Sequence, residues 1–214
     1  MNKIQIRRLI FTAASSGIIV IVGGGLAFIQ RPLGAIYLTL WLAWGLSTAL
    51  LRQRGVNSPY NKSQGMVGAI LTAILFVLVI VPPWEYSHFD GPIPRDGLLA
   101  GIGLVLFAAG IALQSVAMWT LHGLYTGHLG IQPGHQLVTS GPYRYVRHPG
   151  YLSYILCLTG IGLALSSIVT LVMTILVIPL LLSRIEREEE MLATEISEYQ
   201  GYMRRTKRLI PLVY

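Results

Sequence analysis

Five apolar stretches, at 9–29, 33–51, 66–81, 98–119 and 151–183, leave this chain few ways to fold. Each is long enough to cross a bilayer as a helix or close to it, since the hydrocarbon core needs about 20 apolar residues. Only 12% of the 214 residues are charged and 53% are hydrophobic. A soluble domain carries about 25% charged residues. Lipid is therefore the expected solvent for most of the chain, and the length fits one membrane domain.

The run 9–29 follows Lys3, Arg7 and Arg8. It is long for the apolar part of a signal peptide and no small-residue cleavage site follows, so a retained span is expected. A turn at Gln30-Arg31-Pro32 leads to the second span, 33–51, whose Trp41 and Trp44 fall mid-span and should pack between helices. Residues 52–65 read as a loop. The third span, 66–81, is expected to end at Pro82-Pro83, with Trp84, Tyr86 and Phe89 at headgroup level. In the fourth, 98–119, Gly101, Gly103 and Gly110 permit close helix contact. The stretch 151–183 would be roughly 50 Å long as one helix. The core is only about 30 Å thick. A hairpin breaking near Ser166-Ser167 is expected, with Pro179 kinking its second arm. From Arg184 the sequence turns charged and amphipathic, which predicts a tail helix over 184–214 lying on the membrane surface.

The fold class is thus all-α: a polytopic integral membrane protein of about six transmembrane helices, with a C-terminal helical hairpin and a cytoplasmic amphipathic tail helix. Residues 1–97 form an N-terminal part with helices 1–3. Residues 98–214 form a second part with helix 4, a loop over 120–150, the hairpin and the tail.

Charge fixes the expected orientation. The net charge of +7 would suggest nucleic acid in a soluble protein. Here the cations cluster between spans, so no nucleic-acid partner is expected. With the N-terminus inside and six crossings, 14 of the 16 Lys and Arg face the cytoplasm. The exceptions are Arg31 and Arg95. Both termini and the loop 120–150 are then cytoplasmic.

That loop contains the most unusual stretch of the chain, 134–151 (GHQLVTSGPYRYVRHPGY). Two histidines, two arginines and three tyrosines interrupt an oily sequence. Gly141-Pro142 breaks any helix before Tyr143, and Pro149 suits the first turn of the next helix. His122, His128, His135 and His148 lack metal-ligand spacing, and Cys157, inside an apolar run, is the only cysteine. No phosphate-binding loop or nucleophile elbow occurs, and the glycines of 123–134 do not follow a strand. What remains is an aromatic, cationic loop and a carboxylate cluster at Glu186, Glu188, Glu189 and Glu190. Together these suit a ligand that is zwitterionic and cationic: carboxylates and tyrosine faces attract a cation, and a helix start holds a carboxylate. S-adenosylmethionine has both features.

The same residues carry a resemblance. His135-x-Leu137-Val138, Gly141-x-Tyr143, Arg147-His148-Pro149-x-Tyr151, Arg184-x-x-x-Glu188-Glu189, Tyr199-x-x-Tyr202 and Leu209-Ile210-Pro211 resemble the isoprenylcysteine carboxyl methyltransferase family, from about Leu98 on. The resemblance implies an integral-membrane methyltransferase with S-adenosylmethionine as cofactor. It implies a cofactor pocket of His135, Gln136, Leu137, Val138, Tyr143, His148, Pro149, Gly150, Tyr151 and either Glu188 or Glu189. Arg184 would face the substrate, with Tyr151 beside it. The Phe-Gly pair usual before the paired tyrosines is Ile196-Ser197 here, one residue short, which leaves Glu188 and Glu189 both open. The acceptor would be a lipophilic molecule or lipidated substrate arriving from the bilayer: a prenylcysteine-like carboxylate, a lipid amine or a thiol. Two other readings stand beside this one. An NADPH-dependent sterol-type reductase uses an Arg-His-Pro-Asn-Tyr element, but Gly150 replaces that asparagine. A small transporter or scaffold would bind no cofactor.

Overall fold

The computed structural model describes residues 3–51, 59–95, 97–121 and 137–210, with 59–70 and 72 described in the main chain only. The chain runs through α1 (Lys3–Val22), α2 (Leu26–Gln30), α3 (Pro32–Leu51), α4 (Pro59–His88), α5 (Leu98–Thr120), α6 (Pro149–Ala164), α7 (Ile168–Glu195) and α8 (Tyr199–Arg205). A 3-10 turn at Gly141–Arg144 precedes α6. Among the described residues the β structure is one isolated bridge, Val146 to Lys207. Among the described residues four helices, α1, α3, α5 and α7, are long and apolar enough to cross a membrane, and Ala73–His88 and Pro149–Ala164 are shorter apolar helices. The protein is an all-helical integral membrane protein.

The hairpin breaks where the two serines predict. Ser166 takes a left-handed φ of 57°. Ser167 caps α7, its hydroxyl accepting from the Thr170 N–H at 3.1 Å. Its hydroxyl also donates to the Glu85 carboxylate of α4. The pairing of α5 with α6 rests on glycine. A Cβ on Gly160 would lie 2.5 Å from the Phe107 backbone nitrogen, and one on Gly103 would lie 2.4 Å from that of Ala164. Trp41 and Trp44 pack between helices, as their mid-span positions predict. Trp41 donates to the Ser15 hydroxyl at 3.1 Å, and Trp44 to the buried amide oxygen of Gln114.

Four expectations are corrected. The span 9–29 is broken, because Gly24 and Gly25 adopt φ of +94° and +72° and end α1 at Val22. The loop expected to reach residue 65 yields to helix from Pro59. Pro82-Pro83 does not stop α4, which continues to His88; neighbouring elements can satisfy the groups a proline frees inside a membrane bundle. Tyr86, near the end of α4, is 6% exposed and lies beneath the guanidinium groups of Arg31 and Arg95. Among the described residues the tail is not one separate helix from 184 on. Residues 184–195 extend α7, and only Tyr199–Arg205 form a further helix. A strong helix-former run with no breaker before Ile196 simply continues the span into water. Of the α5 glycines, Gly101 meets nothing within 4 Å and takes no part in the packing. The helix also continues through Pro179.

Two groups of polar contacts mark the two ends of the bundle. Trp44, Gln114 and Tyr154 meet within two turns of the end of α3, the end of α5 and the start of α6. At the other end Ser87 donates to the Gly23 carbonyl, and the Ile93 N–H donates to the Ser166 hydroxyl at 2.9 Å. Successive long helices therefore alternate in direction. This places the end of α5, the start of α6 and the charged end of α7 together.

Candidate functional site

Where those three ends converge, the polar loop, the first turn of α6 and the tail build one cluster on α7. Tyr151 lies in the first turn of α6. Its hydroxyl donates to Glu188 Oε2 at 2.8 Å and accepts from Arg184 Nε at 2.9 Å. Arg184 and Glu188 are one turn apart on α7 and so share a face. One phenol thus bridges a carboxylate and a guanidinium at the membrane end of the bundle.

Glu189 faces a different set. It is 3% exposed. Arg147 Nε donates to its Oε1 at 2.6 Å, His148 Nε2 lies 3.0 Å from the same oxygen, and Arg208 Nη2 is 2.8 Å from Oε2. A carboxylate only accepts here, so His148 carries its proton on Nε2. Arg147 also donates to the Met203 carbonyl at 3.0 Å and to the Thr206 carbonyl. The backbone repeats this fastening: the Arg147 N–H donates to the Lys207 carbonyl at 2.8 Å and the His148 N–H to that of Arg208 at 3.1 Å. Glu189 is therefore the ionic centre of a clasp between the loop and the tail. A buried carboxylate is tolerated because three donors satisfy it.

The tail supplies an apolar lining. Ile196, Tyr199 and Tyr202 form a small buried cluster against which Leu137 packs. Tyr202 donates to the Tyr143 carbonyl at 2.6 Å. Burial raises both phenols, Tyr199 well above its ordinary value and Tyr202 to about 12. Both are neutral donors at physiological pH.

Among the residues the sequence singles out, Leu137, Val138, Tyr143, His148, Pro149, Gly150, Tyr151, Arg184, Glu188 and Glu189 all fall at this end, on the loop, the start of α6 and the end of α7. His148, Pro149 and Gly150 are buried, and Leu137 and Val138 are half-buried. His135 and Gln136 lie outside the described residues. Three participants were given no role by the sequence reading. Arg147 and Arg208 read as ordinary cytoplasmic charges, and nothing local marks them as partners of Glu189. Gln114, 1% exposed, had a signal: it is the one carboxamide in the apolar run 98–119. It joins Trp44 to Tyr154, whose hydroxyl lies 3.5 Å from the Gln114 amide nitrogen.

The class follows from fold and site together: a multi-pass helical membrane protein with a doubly charged, tyrosine-bridged site at one membrane face. Residues 102–194 match the Isoprenylcysteine carboxyl methyltransferase (ICMT) family. A curated relative, the cobalt-zinc-cadmium resistance protein CzcN of Cupriavidus metallidurans, is 29% identical over 147 residues. That match covers 68% of this chain and spans 63% of the relative's length. The fold is similar to that of a eukaryotic intramembrane Ras methyltransferase, ICMT, with a TM-score of 0.60 and 20% identity. The similarity covers 94% of this chain and 75% of that one.

Proposed function

We propose that this protein transfers a methyl group from S-adenosylmethionine to a lipophilic acceptor that reaches the site from the bilayer. The observation that carries this reading is the Glu188–Tyr151–Arg184 bridge, opposite charges held by one phenol beside an apolar helix bundle. The residues fit the cofactor. Glu188 offers a half-buried carboxylate to its ammonium group, and the positive end of the α6 dipole favours its carboxylate. Leu137, Val138 and the tyrosines of the tail offer apolar surface. The match of residues 102–194 to the isoprenylcysteine carboxyl methyltransferase family supports the same activity.

When bound, the cofactor supplies an electrophilic methyl group; the chain's own residues position and shield. Glu188 holds the cofactor in register, Arg184 orients the acceptor, and Tyr151 keeps both side chains aimed at the same point. The clasp centred on Glu189 keeps the loop and tail over the site and excludes water. Proximity of this kind can supply about 7–11 kcal/mol of a barrier. With Glu189 satisfied by three donors, Glu188 takes the cofactor role. The site, the N-terminus and the C-terminus face the cytoplasm in this reading, in keeping with the positions of 14 of the 16 cations.

The test has two parts. Calorimetry of the purified protein in detergent is expected to give a dissociation constant below the millimolar range, about −4 kcal/mol or tighter. Labelled S-adenosylmethionine offered with prenylcysteine carboxylates, phospholipid amines and hydrophobic thiols is expected to mark one class. Folded protein that gives no binding heat and no labelled product defeats the proposal.

A further inference from the structure

The cations at the site end divide into two sets. Arg147 and Arg208 are engaged by Glu189. Arg144, Arg204, Arg205 and Lys207 are all exposed, and none of them forms an ion pair among the described residues. We propose that these four form a docking surface for the headgroups of anionic phospholipids in the leaflet beside the site.

Their depth supports this partner. Lys207 pairs with Val146, and the Arg147 N–H donates to its carbonyl. The apolar helix α6 begins three residues after Val146. Lys207 is thereby fixed beside the point where the chain enters the hydrocarbon, and Arg144 lies two residues before the bridge. Arg204 and Arg205 lie in the last turn of α8, with Thr206 between them and Lys207. Flanking the bridge, Tyr145 is 63% exposed and Ile210 is 50% exposed. A phenol and an aliphatic side chain left in the open at this level suit the headgroup and upper acyl region. The exposed carboxylates Glu195 and Glu198 stand at the opposite end of α8 from Arg204 and Arg205, so the cations are not neutralised along their own helix. A helix C-terminus favours the two arginines on its own. It does not account for Arg144 or Lys207, which belong to other segments.

Clusters of four or more cations just cytoplasmic of a span attract anionic lipid by roughly fivefold per cation, within a Debye length. Here the cluster lies on the two segments that the Glu189 clasp joins. Bound headgroups would bridge Arg144 on the loop to Lys207 on the tail and hold the site's cover in place.

The test is lipid retention, independent of any methyltransferase activity. The full chain in detergent is incubated with equimolar phosphatidylglycerol and phosphatidylcholine and gel-filtered, and its bound lipids are extracted and counted. At about 0.1 M salt, phosphatidylglycerol is expected to exceed phosphatidylcholine by about tenfold or more. The ratio should fall toward one at about 1 M salt, where the Debye length is about 3 Å. It should fall likewise in the variant Arg144→Gln/Arg204→Gln/Arg205→Gln/Lys207→Gln, but not in Lys3→Gln/Arg7→Gln. Equal retention of the two lipids by the native chain overturns the proposal, as does a preference that survives in the fourfold variant. If that variant does not fold, the salt arm decides: a preference unchanged at high salt is not electrostatic and refutes the docking surface.

Discussion

Glu188 and Glu189 are neighbours in sequence, yet about 100° apart around α7. That angle gives them different partners and different consequences when changed. On the proposed cofactor role of Glu188, Glu188→Gln would remove a charge-assisted hydrogen bond, about 1.5–3 kcal/mol. It is expected to weaken S-adenosylmethionine binding about tenfold to a hundredfold in calorimetry, with little change in thermal unfolding. Glu189→Gln instead strips the counter-charge from Arg147 and Arg208 inside the clasp. Breaking a buried pair typically costs about 3–5 kcal/mol, so its unfolding midpoint should drop clearly. Arg184→Ala should leave cofactor affinity near normal and reduce turnover of the acceptor. Equal loss of cofactor affinity in Glu188→Gln and Arg184→Ala would deny the division of roles. The sequence placed both glutamates and Arg184 in one motif but could not separate the pair. Which one turns toward Tyr151 depends on where α6 meets α7, and no pattern within α7 records that.

At the scale of elements, the apolar runs and their serine break were legible because hydrophobic length and capping are local properties. The failures were at breakers. Gly23-Gly24-Gly25 ended α1 although the residues on both sides are apolar, whereas Pro82-Pro83 did not end α4. A breaker's effect depends on what lies beside it, and Ser87 donating to the Gly23 carbonyl is a contact 64 residues apart. The α5–α6 contact is sensitive to substitution. A methyl group at Gly160 meets backbone atoms at 2.5 and 2.6 Å, which cannot swing aside. Gly160→Ala is expected to lower stability by about 1–3 kcal/mol, seen as a reduced midpoint in detergent unfolding. Gly101→Ala, open to 4 Å, should be neutral or slightly stabilising through helix propensity. Similar midpoints for the two variants would mean that close approach at Gly160 does not hold these helices together.

For the whole molecule, the decisive prediction is which face of the membrane holds the site. Two independent features agree on the grouping. The charges place the 120–150 loop and the tail on one side. Their hydrogen bonds, Arg147 to Lys207 and His148 to Arg208, require it. The bonds do not choose the compartment; the charge asymmetry predicts the cytoplasmic one. Ser140 and Ser197 are exposed at the site end, and Asp90 is exposed beyond α4 at the opposite end. Single cysteines at these positions, in a Cys157→Ser background, give a direct readout. Cys157 is buried against α5, where a Cβ on Gly110 would stand 2.6 Å from its sulphur, so the smaller serine should be accommodated. An impermeant thiol reagent applied to intact cells is expected to label Asp90→Cys and to spare Ser140→Cys and Ser197→Cys. All three should label once the membrane is opened. Labelling of Ser140→Cys and Ser197→Cys alone would invert the molecule and put the site outside. The cytoplasmic cofactor would then have no route to Glu188, and the methyltransferase reading would fail with the topology. Labelling of only one of the two would contradict the clasp itself, because Ser140 and Ser197 lie on the segments it joins.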